Sequence, residues 1–188
     1  MRPLPLPPNP MPRFYRGGSR IAALRGLPDG DDRAPEDWVG SVTTAFGSAV
    51  VGLSHLEDGR TLPEALASDT EAFLGPEHVA GRDPALLVKL LDANERLPVH
   101  FHPDRGFARR HLDTPFGKSE GWVVAAAEGA DAVVFLGLRE TVELEALADW
   151  VERQDTAALL AALNRIPTEP GDTFFVPAGT LHAIGEGL

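Results

Sequence analysis

Two histidines stand one residue apart in LPVHFHPD (97–104), in a chain that has only six. Along an extended strand, positions i and i+2 face the same way. His100 and His102 then share one face, and Val99 and Phe101 share the other. Two imidazoles on one sheet face suit a metal ion, because neutral imidazole is a common metal ligand. The plainer reading is a pair of hydrogen-bonded polar residues beside a turn. A metal needs further ligands. The chain has no cysteine, so any zinc must be held by histidine and carboxylate. The basic residues are also uneven: fifteen are Arg, and Lys89 and Lys118 are the only lysines. A lysine can titrate or act as a compact point charge where arginine cannot. Chance placement is the alternative for each.

The elements that must position these residues can be read from the pattern. Residues 1–12 hold six prolines and predict an extended, flexible arm. APEDWVGSVTTAFGSAVVG (34–52) reads as loop with one or two short strands. TLPEALASDTEAFLG (61–75) predicts a helix, with Thr61 as cap, Glu64 completing a capping box and Gly75 at the end. PALLVKLLDA (84–93) reads as a buried strand carrying Lys89, and LPVHFH as the next strand. A helical turn is expected over 104–112, a loop over 113–119, and strands over 120–128 and 131–138, joined by Gly129-Ala130. The segment 141–167 reads as helical. Leu144, Leu147, Trp150 and Val151 give one apolar stripe, Leu159, Leu160 and Leu163 a second, and Asp155 or Thr156 a cap between them. The end returns to strand, turn and strand around GDTFFVPAGTLHAIG (171–185), with a tight turn at Pro177–Thr180 leading to His182. Many short strands with added helices suggest a β-barrel carrying a helical insertion.

Composition narrows the partners. With 188 residues, 43% of them hydrophobic, the chain can bury one good core. A formal net charge of -11 argues against a nucleic-acid surface. No run approaches the ~18 apolar residues of a membrane span, and the proline-broken start is unlike a secretion signal. No membrane partner is expected, and a cytoplasmic location fits. Oligomeric state is not legible.

The Gly-x5-Pro-x-Gly-x2-His spacing from Gly171 to His182 resembles the second cupin motif, and His100-Phe101-His102 resembles the pair in the first. The match becomes more specific further out. LLVKLLDANERLPVHFHPD followed by FGKSEGW, APEDWVGS near the start, and PAGTLHAIGEG at the end resemble the type I mannose-6-phosphate isomerase family. The resemblance runs from about Arg13 to the last residue. It implies a mainly β fold, a cupin-type antiparallel β-barrel (jelly roll) with a helical insertion at about 141–167, and one isomerase core over 13–188 behind the arm. It also implies zinc, held by His102, Glu120 and His182. His100 falls where the family usually has Gln, itself a ligand in some members. Lys118 falls on the family's active-site lysine, as catalytic and substrate-binding residue. Trp38 and Ser41 match a substrate-lining segment, and Lys89 lies in a motif segment as a further substrate-side candidate.

The implied reaction interconverts mannose 6-phosphate and fructose 6-phosphate by moving a hydrogen between C1 and C2. Zinc would polarise the sugar oxygens, a positioned group would shuttle the proton, and a cation would hold the phosphate. A non-catalytic cupin that binds a sugar or sugar phosphate is the alternative, as is an isomerase of another phosphosugar. The family draws an arginine from beyond its last motif histidine, and this sequence continues only six residues past His182. The resemblance therefore implies a chain shortened at its C-terminal end, inactive or nearly so by itself, in which only Lys118, Arg109 or Arg110 could stand in.

Overall fold

Among the described residues, backbone hydrogen bonding divides the β-structure into three small antiparallel sheets rather than one long one. The computed structural model describes residues 3–28, 31–45, 48–49, 51–78 and 84–188. Residues 1 and 2 of the arm, and 46, 47 and 50 of the segment 34–52, lie outside them. Two compact units are distinguished, Met1–Asp92 and Ala93–Leu188.

In the first unit, β1 (Pro10–Met11), β2 (Glu36–Gly40) and β3 (Val88–Leu91) pair in that order. The proline-rich segment is not a free arm at its end. Met11 is buried, and Asn9 donates to Asp37 and to the carbonyls of Trp38 and Gly52. Proline fixes φ at values that suit an extended edge segment, so a proline-rich stretch can dock without a regular ladder. Helix α1 spans Arg20–Arg25. The segment 61–75 forms two short helices, α2 (Leu62–Ser68) and α3 (Thr70–Leu74). The expected capping box is present: Thr61 accepts from the Glu64 N–H, and Glu64 accepts from the Thr61 N–H. Asp69 caps the second helix and so splits the run.

In the second unit, α4 (Arg105–His111) follows the histidine pair, capped by Asp104. Strand β4 (Glu120–Val123) pairs with β7 (Thr173–Val176), with Glu120 opposite Val176. Strand β5 (Val133–Leu138) lies between β6 (Leu163–Pro167) and β8 (His182–Ile184). The two strands expected at 120–138 therefore do not pair with each other, and neither do the two that flank the 177–180 turn. The core is built from Leu97, Val133, Val134, Leu163, Val176 and Ala183.

Two sequence expectations change here. The segment 97–102 is not a continuous strand: it meets the last strand only through Leu97 and the single bridge His100–His182. Pro98 supplies no N–H and interrupts the ladder. The helical segment ends earlier than expected, as α5 (Leu144–Glu152) and α6 (Thr156–Ala161), with Asp155 capping the second. Leu163 belongs to β6, not to a helix stripe, while Leu144 and Val151 are exposed. The pairing of 163–167 with β5 outweighs the helical spacing. It is fixed by Asn164, whose amide donates to the carbonyls of Leu136 and Gly137 at an irregularity in β5.

Candidate metal centre

Three segments far apart in sequence are tied together at the 177–180 turn. The turn closes with the Thr180 N–H on the Pro177 carbonyl. Its Gly179 N–H donates to the His102 carbonyl, and its Ala178 N–H to the Ser119 hydroxyl. One turn thus holds the backbone next to His102 on one side and next to Glu120 on the other. His182 follows two residues later. It exchanges both backbone hydrogen bonds with His100, at 3.0 and 2.8 Å. Directly opposed residues in an antiparallel pair point to the same side. The two rings accordingly meet, with centroids 4.2 Å apart, and His102 lies 5.2 Å from His182.

The approach of 117–118 to 103–105 has a specific cause. A β-carbon at Gly117 would lie 2.6 Å from the Arg105 nitrogen and 2.8 Å from the Pro103 oxygen. Only glycine permits this contact, which lets the Lys118 N–H donate to the Pro103 carbonyl at 3.0 Å.

Ring orientation follows from hydrogen bonding. The His100 Nδ1 lies 2.8 Å from the Pro98 carbonyl, and the His182 Nδ1 lies 2.7 Å from the Thr180 carbonyl. A carbonyl only accepts, so both Nδ1 atoms carry hydrogen, and in the neutral rings Nε2 is left with its lone pair. Carbonyl anchoring of Nδ1 is a common way to orient a metal-binding histidine. One ring nitrogen from each of His100, His102 and His182 lies within 4.8 Å of the others, and the three could hold a metal ion.

Glu120 faces this cluster. Its Oε1 lies 2.8 Å from Lys118 Nζ and 3.3 Å from His102 Nε2, and its Oε2 lies 3.4 Å from His182 Nε2. His182 Nε2 is buried and forms no hydrogen bond. A buried nitrogen facing a carboxylate oxygen, with no hydrogen between them, is a costly arrangement that a cation would relieve. Burial raises the tendency of Glu120 to take a proton, and the Lys118 ammonium 2.8 Å away opposes it, so that the carboxyl is held well below the usual range. Burial lowers His100 to about 4, and the other two imidazoles add to the effect, so the ring favours its neutral, ligating form. The three imidazoles with a carboxylate beside them offer nitrogen and oxygen donors, a combination that would suit a zinc-like ion.

Among the residues singled out from sequence, His100, His102, Lys118, Glu120 and His182 come together in the second unit. Trp38, Ser41 and Lys89 lie in the first. Trp38 is buried, and its indole N–H donates to Glu36 at 2.8 Å. Lys89 Nζ lies 3.0 Å from Glu36. Ser41 is fully buried and donates to the Thr43 carbonyl. Sequence reasoning missed two residues. Trp122 donates to Glu120 at 3.3 Å, and its ring stands 5.5 Å from that of His182. Glu36 accepts from Arg13, Tyr15, Trp38 and Lys89. Strand alternation would have flagged both, since Trp122 is two residues after Glu120 and Glu36 two before Trp38.

No protein-family model matches the chain. It is 40% identical over 176 residues to a mannose-6-phosphate isomerase of Streptococcus mutans, which covers 92% of this chain and 51% of that protein. It is 36% identical over 171 residues to a probable mannose-6-phosphate isomerase of Bacillus subtilis, covering 91% and 51%. Among solved structures, the mannose 6-phosphate isomerase of Bacillus subtilis superposes with a TM-score of 0.81 at 28% identity, over all of this chain and 56% of that one. The apo form from Salmonella typhimurium, with a TM-score of 0.67 at 19% identity, shares the fold. The chain spans about half the length of the curated relatives it matches. Over nine-tenths of its own length, this chain is a relative of the mannose-6-phosphate isomerases.

Proposed function

We propose that the chain carries the metal-binding part of a zinc-dependent aldose–ketose isomerase that interconverts mannose 6-phosphate and fructose 6-phosphate. The observation that carries this reading is the orphaned His182 Nε2, buried 3.4 Å from Glu120 Oε2 among three converging imidazoles. His100, His102, Glu120 and His182 would hold the ion. When bound, zinc supplies Lewis-acid polarisation of the sugar oxygens. The remaining work falls to side chains. Lys118 is the exposed ionisable group of the cluster, with 45% of its side chain open to water, and is the candidate to exchange a proton with substrate. Lys89, Trp38 and Ser41 are the substrate-side candidates of the first unit, carried by the motif resemblance. A sugar phosphate in a cytoplasmic setting goes with this reading. Among the described residues no helix is long and apolar enough to cross a membrane. The three small sheets are read as parts of a cupin-type barrel, supported by the superposition on the Bacillus subtilis structure.

The test is zinc analysis with a coupled assay of mannose 6-phosphate turnover on the protein. About one zinc per chain is expected from a single centre of this kind. His182→Ala should lose zinc and turnover together while the fold persists, since Val176 and Ile184 pack without the imidazole. Unchanged turnover with zinc retained would overturn the reading.

A further inference from the structure

The Lys118 ammonium occupies an unusual position. It lies 3.0 Å from His102 Nε2 and 2.8 Å from Glu120 Oε1, so it touches two of the donor atoms a metal ion would use. An imidazole Nε2 has one lone pair, which serves one cation at a time. We propose that Lys118 is the internal counter-cation of this centre: its ammonium holds the donor atoms of His102 and Glu120 and is expelled when zinc takes them, so the lysine sets zinc affinity by competition. The proposal rests on the zinc reading above and deepens it.

The neighbourhood is arranged so that only the lysine need move. His182 is almost wholly buried and anchored through Nδ1, and Glu120, at 13% exposure, accepts from Trp122. The Lys118 side chain is 45% exposed. Its backbone is fixed by the Pro103 carbonyl and by the close approach at Gly117. The four-carbon stem can therefore carry the ammonium into water while its own backbone, the imidazoles and the carboxylate stay in place. The ammonium also gives Glu120 a counter-charge whenever no ion is bound, which lowers the cost of a buried carboxylate.

With 15N-labelled lysine, the side-chain ammonium signals are followed by NMR during titration with zinc sulfate, and the signal that K118M lacks is that of Lys118. Zinc affinities of the wild-type chain and K118M are measured in parallel by competition with a chromophoric chelator. The Lys118 signal should move to the position of a free lysine as one zinc binds. K118M should bind zinc about tenfold more tightly, the scale of one charge-assisted hydrogen bond discounted for exposure. Binding by K118M alone would be the extreme form of that result. Equal or weaker affinity in K118M would overturn the proposal, as would zinc binding that leaves the Lys118 signal in place, while the zinc centre itself would stand. Failure of both proteins to bind zinc would overturn the centre and, with it, the competition.

Discussion

The molecule contains the same small motif twice, with opposite endings. In the first unit Glu36 stands two residues before Trp38, and in the second Glu120 stands two residues before Trp122. In each case the tryptophan N–H donates to the carboxylate, at 2.8 Å and 3.3 Å, and a lysine sits on the other oxygen, at 3.0 Å and 2.8 Å. The rest of each shell differs. Glu36 also receives the Tyr15 hydroxyl at 2.6 Å and Arg13 at 2.7 Å, so every neighbour brings a hydrogen. Glu120 instead faces imidazole nitrogens. The first carboxylate is a closed structural anchor, and burial is outweighed there by Lys89, Arg13, Tyr15 and Trp38, which bring it to about 2. The second has lone pairs turned toward lone pairs, which invites a cation. The carboxylate alone does not make a site. What the neighbouring atoms carry decides it.

Truncating each carboxylate should separate the two roles. Glu36→Ala leaves two cations and two buried donors without their acceptor, and should cost about 3–5 kcal/mol in urea unfolding. Glu120→Ala leaves the half-exposed Lys118 ammonium and the Trp122 N–H without their acceptor, a smaller loss, so its stability cost in the metal-free protein should be the smaller. Its zinc affinity should fall on the order of a hundredfold, at or beyond the upper end of the cost of losing an outer-shell partner. Equal unfolding costs would dissolve the distinction between anchor and site.

A smaller effect is expected from the glycine that brings Lys118 to the second carboxylate. Gly117→Ala forces the 103–105 backbone away and should destabilise by about 1–3 kcal/mol, the usual cost of overpacking. It should also separate Lys118 from His102, so the Lys118 ammonium signal of the metal-free protein would resemble that of a free lysine. A signal unchanged from wild type would show that the contact does not depend on the close approach.

The second cluster was legible in two ways: the spacing of His100 and His102 is a local pattern, while Lys118, Glu120 and His182 came from the resemblance of short stretches to a family. The capping box at Thr61 and Glu64, the turn before His182 and the pairing of Lys118 with Glu120 are set by neighbours within a few residues. What could not be read is set by distant partners. Nothing local says that β4 pairs with β7, or that Leu163–Pro167 leaves a helical pattern to join β5. The strand expected at 97–102 failed for a local reason that was visible, the proline at 98, yet the histidines still meet because one bridge to His182 suffices. Glu36 went unnoticed because four donors from scattered positions define it, and only its spacing from Trp38 hinted at its role.

The finest difference between the clusters should appear in their acid limbs. His100 titrates near 4 in the fold, against an ordinary value of 6.5, because burial disfavours the charged ring. Between those values the unfolded chain binds more protons, so stability from the neutral ring is complete above pH 6.5 and is lost as pH falls through about 4. Glu36 is depressed from 4.5 to about 2, so its contribution is complete above pH 4.5 and is lost only as pH falls toward 2. The two windows barely overlap. His100→Gln places at this position the residue that the resembling family usually carries, keeps a polar side chain and removes the titration. The slope of unfolding free energy between pH 6.5 and 4.5 should flatten in His100→Gln, with the slope below 4.5 preserved. Glu36→Gln should do the reverse. Zinc affinity of His100→Gln should fall by only about tenfold, since an amide oxygen is a weaker ligand than imidazole but still a ligand. Urea melts at a series of pH values on the metal-free protein would check this. A His100→Gln curve parallel to wild type over the whole range would mean that the ring is not held neutral by its burial.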